Sequence, residues 1–268
     1  MAHTMADKPN SRIKLAQSVV LLTGGTSGIG LASAKALARS GVNKLMLVGR
    51  SIERGQSAVK SVKTDVADAD IRFFSADVTT PSGATEAAEA CNAAFGSIDV
   101  LVGTVGNAHM PKILHKLPIE DISPMLSTIT SGAILPARAV LPFMMAQKRG
   151  SIMCVASDAA KLATPGEVVI GAAMAGIVMF CRGLANEAKR SGIRVNAITP
   201  SIVQGTPLYD RVMEDEFSAK MFQKAEQLAD LGVATADDLA DLVVFLASPE
   251  SSLITGQTIS VTGGISTI

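Results

Sequence analysis

Short runs rich in Val, Ile and Leu alternate with longer amphipathic stretches along nearly the whole chain. Seven runs read as strands, at residues 18–22, 44–48, 71–75, 100–102, 151–155, 194–198 and 258–261. Most are short and almost wholly apolar, the pattern of strands buried on both faces. Between them, residues 29–39, 51–66, 80–95, 131–147, 168–189 and 236–246 read as helices. Gly41, Gly150 and Gly192 stand just before strands, where a helix-ending glycine belongs. Strand and helix in alternation imply a parallel sheet covered on both sides, and right-handed crossovers favour a doubly wound arrangement. The expectation is one α/β domain over residues 15–268, with about seven parallel strands, after a flexible tail at 1–14. Residues 201–235 interrupt the alternation with SIVQGTPLYDRVMEDEF, mixed in polarity, and read as a lid inserted outside the sheet.

One helical stretch stands apart. Residues 168–182 read VVIGAAMAGIVMFCR, and the first fourteen carry no charge, hydroxyl or amide. A bilayer span needs roughly 18–20 such residues, so the run reads as a core or active-site helix and no membrane is expected. Hydrophobic residues make up 48% of the 268-residue chain and charged residues 18%, enough for a large core. Aromatic residues are only 3%, with no Trp and one Tyr, so small and branched side chains must fill that core. The formal net charge is zero, which argues against a basic nucleic-acid binder. Cys91, Cys154 and Cys181 are odd in number and lack CxxC spacing, as in a reduced cytoplasmic protein. The N-terminal MAHTMADKPNSRIK has no apolar core of a secretory signal.

The first candidate chemistry lies between the first strand and the first helix. Thr23, Gly24, Gly25, Thr26, Ser27, Gly28, Ile29 and Gly30 form a glycine-rich turn that opens a helix. Glycines let the backbone approach a ligand, and the helix N-terminus offers free N–H groups and partial positive charge to a pyrophosphate. About twenty residues on, the second strand ends in Val48-Gly49-Arg50. An acid there would bond the ribose 2′-hydroxyl of NAD, whereas Arg50 suits a 2′-phosphate, which favours NADP(H).

With these residues the chain resembles the short-chain dehydrogenase/reductase family. Residues 23–30 match its TGxxxGxG, and Asp77-Val78 its adenine-holding pair. Residues 194–200, RVNAITP, resemble its RVNxIxPG with Ser201 in place of the Gly. Leu246-Ala247-Ser248 and Ile254-Thr255-Gly256-Gln257 resemble its C-terminal signature, and Gly263-Gly264 its closing glycines. The likeness runs from about Gln17 to Gly264 and implies a Rossmann-type fold, with Gly106, Pro200, Val203 and Thr206 added to the cofactor residues. It also implies a dimer or tetramer, through 131–147 and 168–189, whose Gly171-Ala172-Ala173 run permits close approach.

The resemblance fails at the reaction centre. The family places a Ser at a strand end, a Tyr thirteen positions later and a Lys four beyond that, one helical turn along on the same face. Ser157 fits the Ser, but Ile170 and Met174 occupy the other two positions, with Gly176 still in step. Neither Ile nor Met donates a proton or carries charge. The family's NNAG reads Gly103-Thr104-Val105-Gly106, and its helix Asn aligns with Ile129. No Tyr lies between Val140 and Ser201. Of the groups that could take over, Asp158, Lys161 and Glu167 read most simply as solvated loop charges. His109 reads as a loop residue beside Pro111, and Tyr209 as an aromatic wedge under the lid.

Two functions follow as expectations. One is an NADP(H)-dependent oxidoreductase with a rerouted proton path, acting on an apolar carbonyl or enone. The other is a non-catalytic subunit or nucleotide-sensing partner of an active relative. A positioned acid or base contributes about 10²–10⁴-fold, so losing the Tyr and Lys weakens ketone reduction without abolishing what proximity supplies.

Overall fold

The computed structural model describes residues 14–105 and 109–268. Its centre is a seven-stranded sheet in the order β3-β2-β1-β4-β5-β6-β7. The strands are β1 Val19–Thr23, β2 Lys44–Gly49, β3 Asp70–Ser75, β4 Val100–Gly103, β5 Gly150–Val155, β6 Ile193–Pro200 and β7 Thr258–Val261. Every neighbouring pair is parallel. All seven strands and the doubly wound order match the pattern expected from the sequence.

Successive side chains of a strand point to opposite faces, and here both faces are buried. In β1, Val19 and Leu21 join the core on one side of the sheet, and Val20 and Leu22 join the core on the other. That is why the strand carries no polar alternation. One face is covered by α1 Gly28–Arg39, α2 Ile52–Asp65 and α8 Ala236–Ala247, the other by α3 Pro81–Phe95, α4 Ile119–Ala146 and α5 Val168–Ala188. Each α1–α3 helix ends close to where its periodic pattern ends.

Helix α4 departs from the expectation. Its pattern predicts a start at residue 131, but the helix begins at Ile119 and contains Pro124, Pro136 and Pro142. A proline removes a backbone donor and crowds the preceding turn, which reads as a stop in sequence. Tertiary burial overrides this: Met125 and Ile129 on the early turns are sunk in the core beside Leu101 and Ile152.

By length and composition alone, residues 119–146 and 168–191 could each cross a membrane, and the second exceeds what its uncharged run suggests. Packing accounts for its apolarity, since 56% of its most apolar window is buried within the fold. Its buried face carries Ile170, Ala173, Met174, Ile177 and Cys181 and lies against α4 and β6.

The segment after β6 holds two further helices, α6 Pro207–Glu214 and α7 Glu216–Glu226. The two ends of this segment are tied to each other, Gln204 N donating to Ala234 O at 2.9 Å, and to the body where Leu231 N donates to Gly263 O at 3.0 Å. The segment read as a lid at 201–235 is helical over Pro207–Glu214 and Glu216–Glu226 and lies outside the sheet.

Candidate active site and cofactor cleft

The order of strands reverses between β1 and β4, and in such sheets ligands bind beyond the carboxyl ends of the strands at that point. A cleft of about 970 Å³ opens there, running from Arg50 past the first turn of α1 to Ser157 and on beneath α6 and α7.

The glycine loop is shaped by close backbone approach. Gly24 has φ +75°, and a Cβ on it would stand 2.7 Å from Thr104 O. A Cβ on Gly30 would stand 2.3 Å from Gly24 O and 2.6 Å from Thr104 Oγ1. No side chain fits either place. Thr104 locks the loop, since its N and its Oγ1 both donate to Thr23 O at 2.9 Å. Ser27 caps α1 by position but its side chain makes no capping hydrogen bond, and the first turn holds no acid. The first N–H groups of α1 are thus left for an external anion. Gly24, Thr26, Ser27, Gly28, Ile29 and Gly30 line the cleft. Thr23 is fully buried behind it, and Gly25 is pressed against the side chains of Leu22 and Leu47. These two shape the loop from beneath.

At one end of the cleft stand Arg50 and Arg54. Beside them Asp77 Oδ1 accepts from Thr79 N at 3.0 Å and from Thr79 Oγ1 at 2.6 Å. The Thr79 hydroxyl, with help from its N–H and from the Arg50 guanidinium, holds the Asp77 carboxyl below its usual range. Val78 is buried next to it. The expected Gly106 lies outside the described residues.

Pro200, Val203 and Thr206 form the opposite wall. Thr206 Oγ1 donates to Val203 O at 2.9 Å and accepts from Tyr209 N at 3.2 Å, which starts α6. A Cβ on Gly28 would come within 3.6 Å of the Thr206 side chain, so the root of the cover rests over the glycine loop.

The far end of the cleft is built by β5 and α5. Ile170 and Met174 recur at helical spacing on one face of α5, Glu167 stands at its N-cap, and all three line the cleft. Ile170 and Met174 are buried, at 4% and 7% exposure. Ile129 is buried in the core and is not part of the cleft wall. Ser157 ends the β5 segment. Its Oγ accepts from Ala159 N at 3.2 Å, starting a single helical turn over Asp158–Ala160.

The charges here are not solvated loop charges, as their setting in the sequence suggests. Asp158 is 3% exposed. Its Oδ1 accepts from Ser266 Oγ at 2.8 Å and lies 3.3 Å from Lys161 Nζ, while Oδ2 has no partner among the described residues. Lys161 Nζ also reaches Ser260 Oγ and Ile268 O, so the ammonium is tied inward. Burial, reinforced by the charge on Asp158, pushes the Glu167 carboxyl up to about 7. Folding creates these environments by bringing residues 260–268 against 158–161, a contact without local sequence signal.

His109 lines the cleft. Tyr209 is not a simple apolar wedge: its hydroxyl donates to Glu226 Oε1 at 3.0 Å and ties α6 to α7. That carboxylate raises the Tyr209 phenol above its ordinary pKa, making it a weaker acid. The rest of the cover is apolar towards the cleft, through Leu208, Val212, Phe217, Met221, Phe222 and Leu228. Lys220 and Lys224 stand among them. Thr104, Thr79, Arg54 and the two lysines were not singled out by sequence, because their roles depend on strand ends and helix faces meeting.

Comparison with known proteins places this geometry. Residues 24–266 match the family model described as enoyl-(acyl carrier protein) reductase. The chain is 30% identical to the 3-oxoacyl-(acyl-carrier-protein) reductase FabG of Escherichia coli over 251 residues, covering 92% of this chain and 96% of that one. The FabG of Chlamydia pneumoniae is also 30% identical, over 94% of this chain and 98% of its own. Among solved structures, levodione reductase superposes with a TM-score of 0.88 at 29% identity, over 94% of this chain and 98% of that one. An NADPH-bound short-chain oxidoreductase of Pseudomonas aeruginosa PAO1, described as containing an atypical catalytic center, superposes with a TM-score of 0.86 at 29% identity. The match covers 95% of this chain and 99% of that one.

Proposed function

The chain belongs to the short-chain dehydrogenase/reductase family of oxidoreductases, and within it we propose an NADP(H)-dependent reductase of an apolar carbonyl or enone, working through a non-standard proton path. The observation that carries this reading is the continuity of one cleft, from Arg50 and the open N-terminus of α1 to Ser157 and the apolar cover. A protein that only held a nucleotide has no use for the second half of that cleft.

The residues fit the cofactor. The N–H groups of the first α1 turn would hold the pyrophosphate, Arg50 and Arg54 a 2′-phosphate, and Asp77 and Val78 the adenine. Bound NADPH supplies a hydride. The Ser157 hydroxyl keeps its proton as a donor, which orients a substrate carbonyl. Ile170, Met174 and the cover exclude water and select apolar substrates. The NADPH-bound relative with an atypical center supports the reading that cofactor binding and an altered centre coexist in this family.

The test is NADPH oxidation with benzil, cyclohexenone and acetophenone, alongside calorimetric titration of NADPH and NADH. Micromolar NADPH binding, weaker NADH binding and turnover of at least one probe are expected. Arg50→Asp should shift preference towards NADH, and equal affinities in the wild type would remove the role of Arg50. NADPH binding without turnover would favour a non-catalytic subunit instead.

We place the protein in the cytoplasm, as a soluble oligomer assembled through the outer faces of α4 and α5 or with an active relative. Met145, Val168 and Met179 expose more than half of their surface on those faces. Light scattering at low concentration checks this, and a clean monomer would refute it.

A further inference from the structure

Glu167 is at the N-cap of α5, yet its side chain makes no capping hydrogen bond. It lines the cleft together with Ser157, Ile170 and Met174, one helical turn before the place where the family carries its Tyr. Asp158 lines the same cleft, is almost fully buried, and has no partner for Oδ2 among the described residues. A buried carboxylate oxygen without a donor is costly unless a ligand, a water or a neighbouring acid's proton meets it. Two carboxyl groups therefore line the Ser157 end of the cleft, beside the apolar Ile170 and Met174.

We infer that Glu167 is the proton donor of this site, and that Asp158, lining the same cleft, acts on it through its charge. The inference rests on the oxidoreductase reading above. The other groups are less suited. Tyr209 is committed to Glu226, and Lys161 to Asp158, Ser260 and Ile268. Ile170 and Met174 have no proton to give. An ordinary exposed Glu would be ionised at neutral pH, but burial and the charge on Asp158 let Glu167 hold its proton up to about pH 7.

The step balances as follows. The hydride, which is the cofactor's contribution, forms the new C–H bond at the carbonyl carbon, so the carbonyl is reduced and the nicotinamide oxidised. The Oε–H bond of Glu167 breaks as the O–H bond of the alcohol forms. The Glu167 carboxylate then takes a proton back from solvent. Ser157 donates to the same oxygen without giving up its proton.

Other titratable groups share the cleft: Asp158 beside Glu167, His109 from the loop after β4, and Tyr209, Lys220 and Lys224 from the cover. The tests must separate Glu167 from these. Glu167→Gln keeps size and shape and removes the proton. With benzil or cyclohexenone, whichever the wild type reduces, its kcat should fall about 100-fold or more, while NADPH affinity by calorimetry stays within about threefold. Wild-type kcat/KM should fall tenfold per pH unit above about 7, and Asp158→Asn should move that break to lower pH. A second readout needs no turnover. Infrared difference spectra of the protein with ¹³C-labelled Glu should show a protonated carboxyl that titrates near pH 7 and is missing in Glu167→Gln.

Unchanged kcat in Glu167→Gln, or a pH break that moves with His109→Gln instead, would overturn the proton-donor role while leaving the reductase reading intact. A Glu167 carboxyl that titrates in the ordinary range would do the same. Absence of turnover in the wild type with NADPH bound would overturn both.

Discussion

The Tyr209 hydroxyl donates to Glu226 Oε1 at 3.0 Å, and Gln204 Nε2 approaches the same oxygen at 3.3 Å. One carboxylate oxygen thus gathers the start of α6, the end of α7 and the strand-side root of the cover. Tyr209→Phe removes one of these bonds and leaves the ring. Because the pair is partly exposed, global stability should drop by no more than about 1 kcal/mol. The cover itself should loosen, so KM for an apolar substrate should rise more than kcat falls, and limited proteolysis should cut within 207–226 sooner. Equal cleavage rates and an unchanged KM would show that this bond does not hold the cover.

Gly30 and Gly28 give a contrast within one loop. Gly30→Ala puts a methyl group 2.3 Å from Gly24 O, against backbone that cannot move aside. The loop must open, and NADPH affinity should fall by more than tenfold. Gly28→Ala meets nothing closer than 3.6 Å, and its penalty comes from φ +49°, about 1 kcal/mol. NADPH titration of the two variants checks the order of effects.

Introducing the Tyr and Lys that the family resemblance implies should harm this protein. Ile170→Tyr with Met174→Lys places a phenol and an ammonium where the wild-type side chains are 4% and 7% exposed, with Ile129 where an Asn would complete the network. Burying a polar group or a charge without partners is expensive, so the double variant should lose about 2–4 kcal/mol. Urea denaturation measures it. A gain in ketone reduction with full stability would show that the surrounding residues can accommodate the pair.

Stability should also carry the signature of Glu167. Its carboxyl is raised from 4.5 in the unfolded chain to about 7 in the fold. The folded state therefore binds the proton more tightly, and the advantage, complete below about pH 4.5, is lost as pH rises through 7. Gln has no such dependence. The stability of Glu167→Gln relative to wild type should rise between pH 4.5 and 7 by on the order of 2 kcal/mol, allowing for partial exposure. Paired denaturation curves across that range test it. A constant difference would show that the carboxyl is not perturbed.

The alternation of apolar runs with amphipathic stretches determined the sheet, its parallel sense and its seven strands, because a strand buried on both faces must be apolar along its length. The glycine loop was legible for a similar reason: close approach of Gly30 to Gly24 tolerates no other residue, so the constraint is written into the sequence. That Ile170 and Met174 share one face of α5 was legible too, from helical spacing, and both line the cleft. The start of α4 at Ile119 was not legible, because burial of Met125 and Ile129 outweighs the local effect of Pro124. Nor was the chemistry of Asp158, Lys161 and Glu167. In sequence they are charges on a loop. Only the return of residues 260–268 onto that loop, and the packing of α5 across the cleft, withdraws them from water, and a proton's affinity for a carboxyl is set by what surrounds it in space.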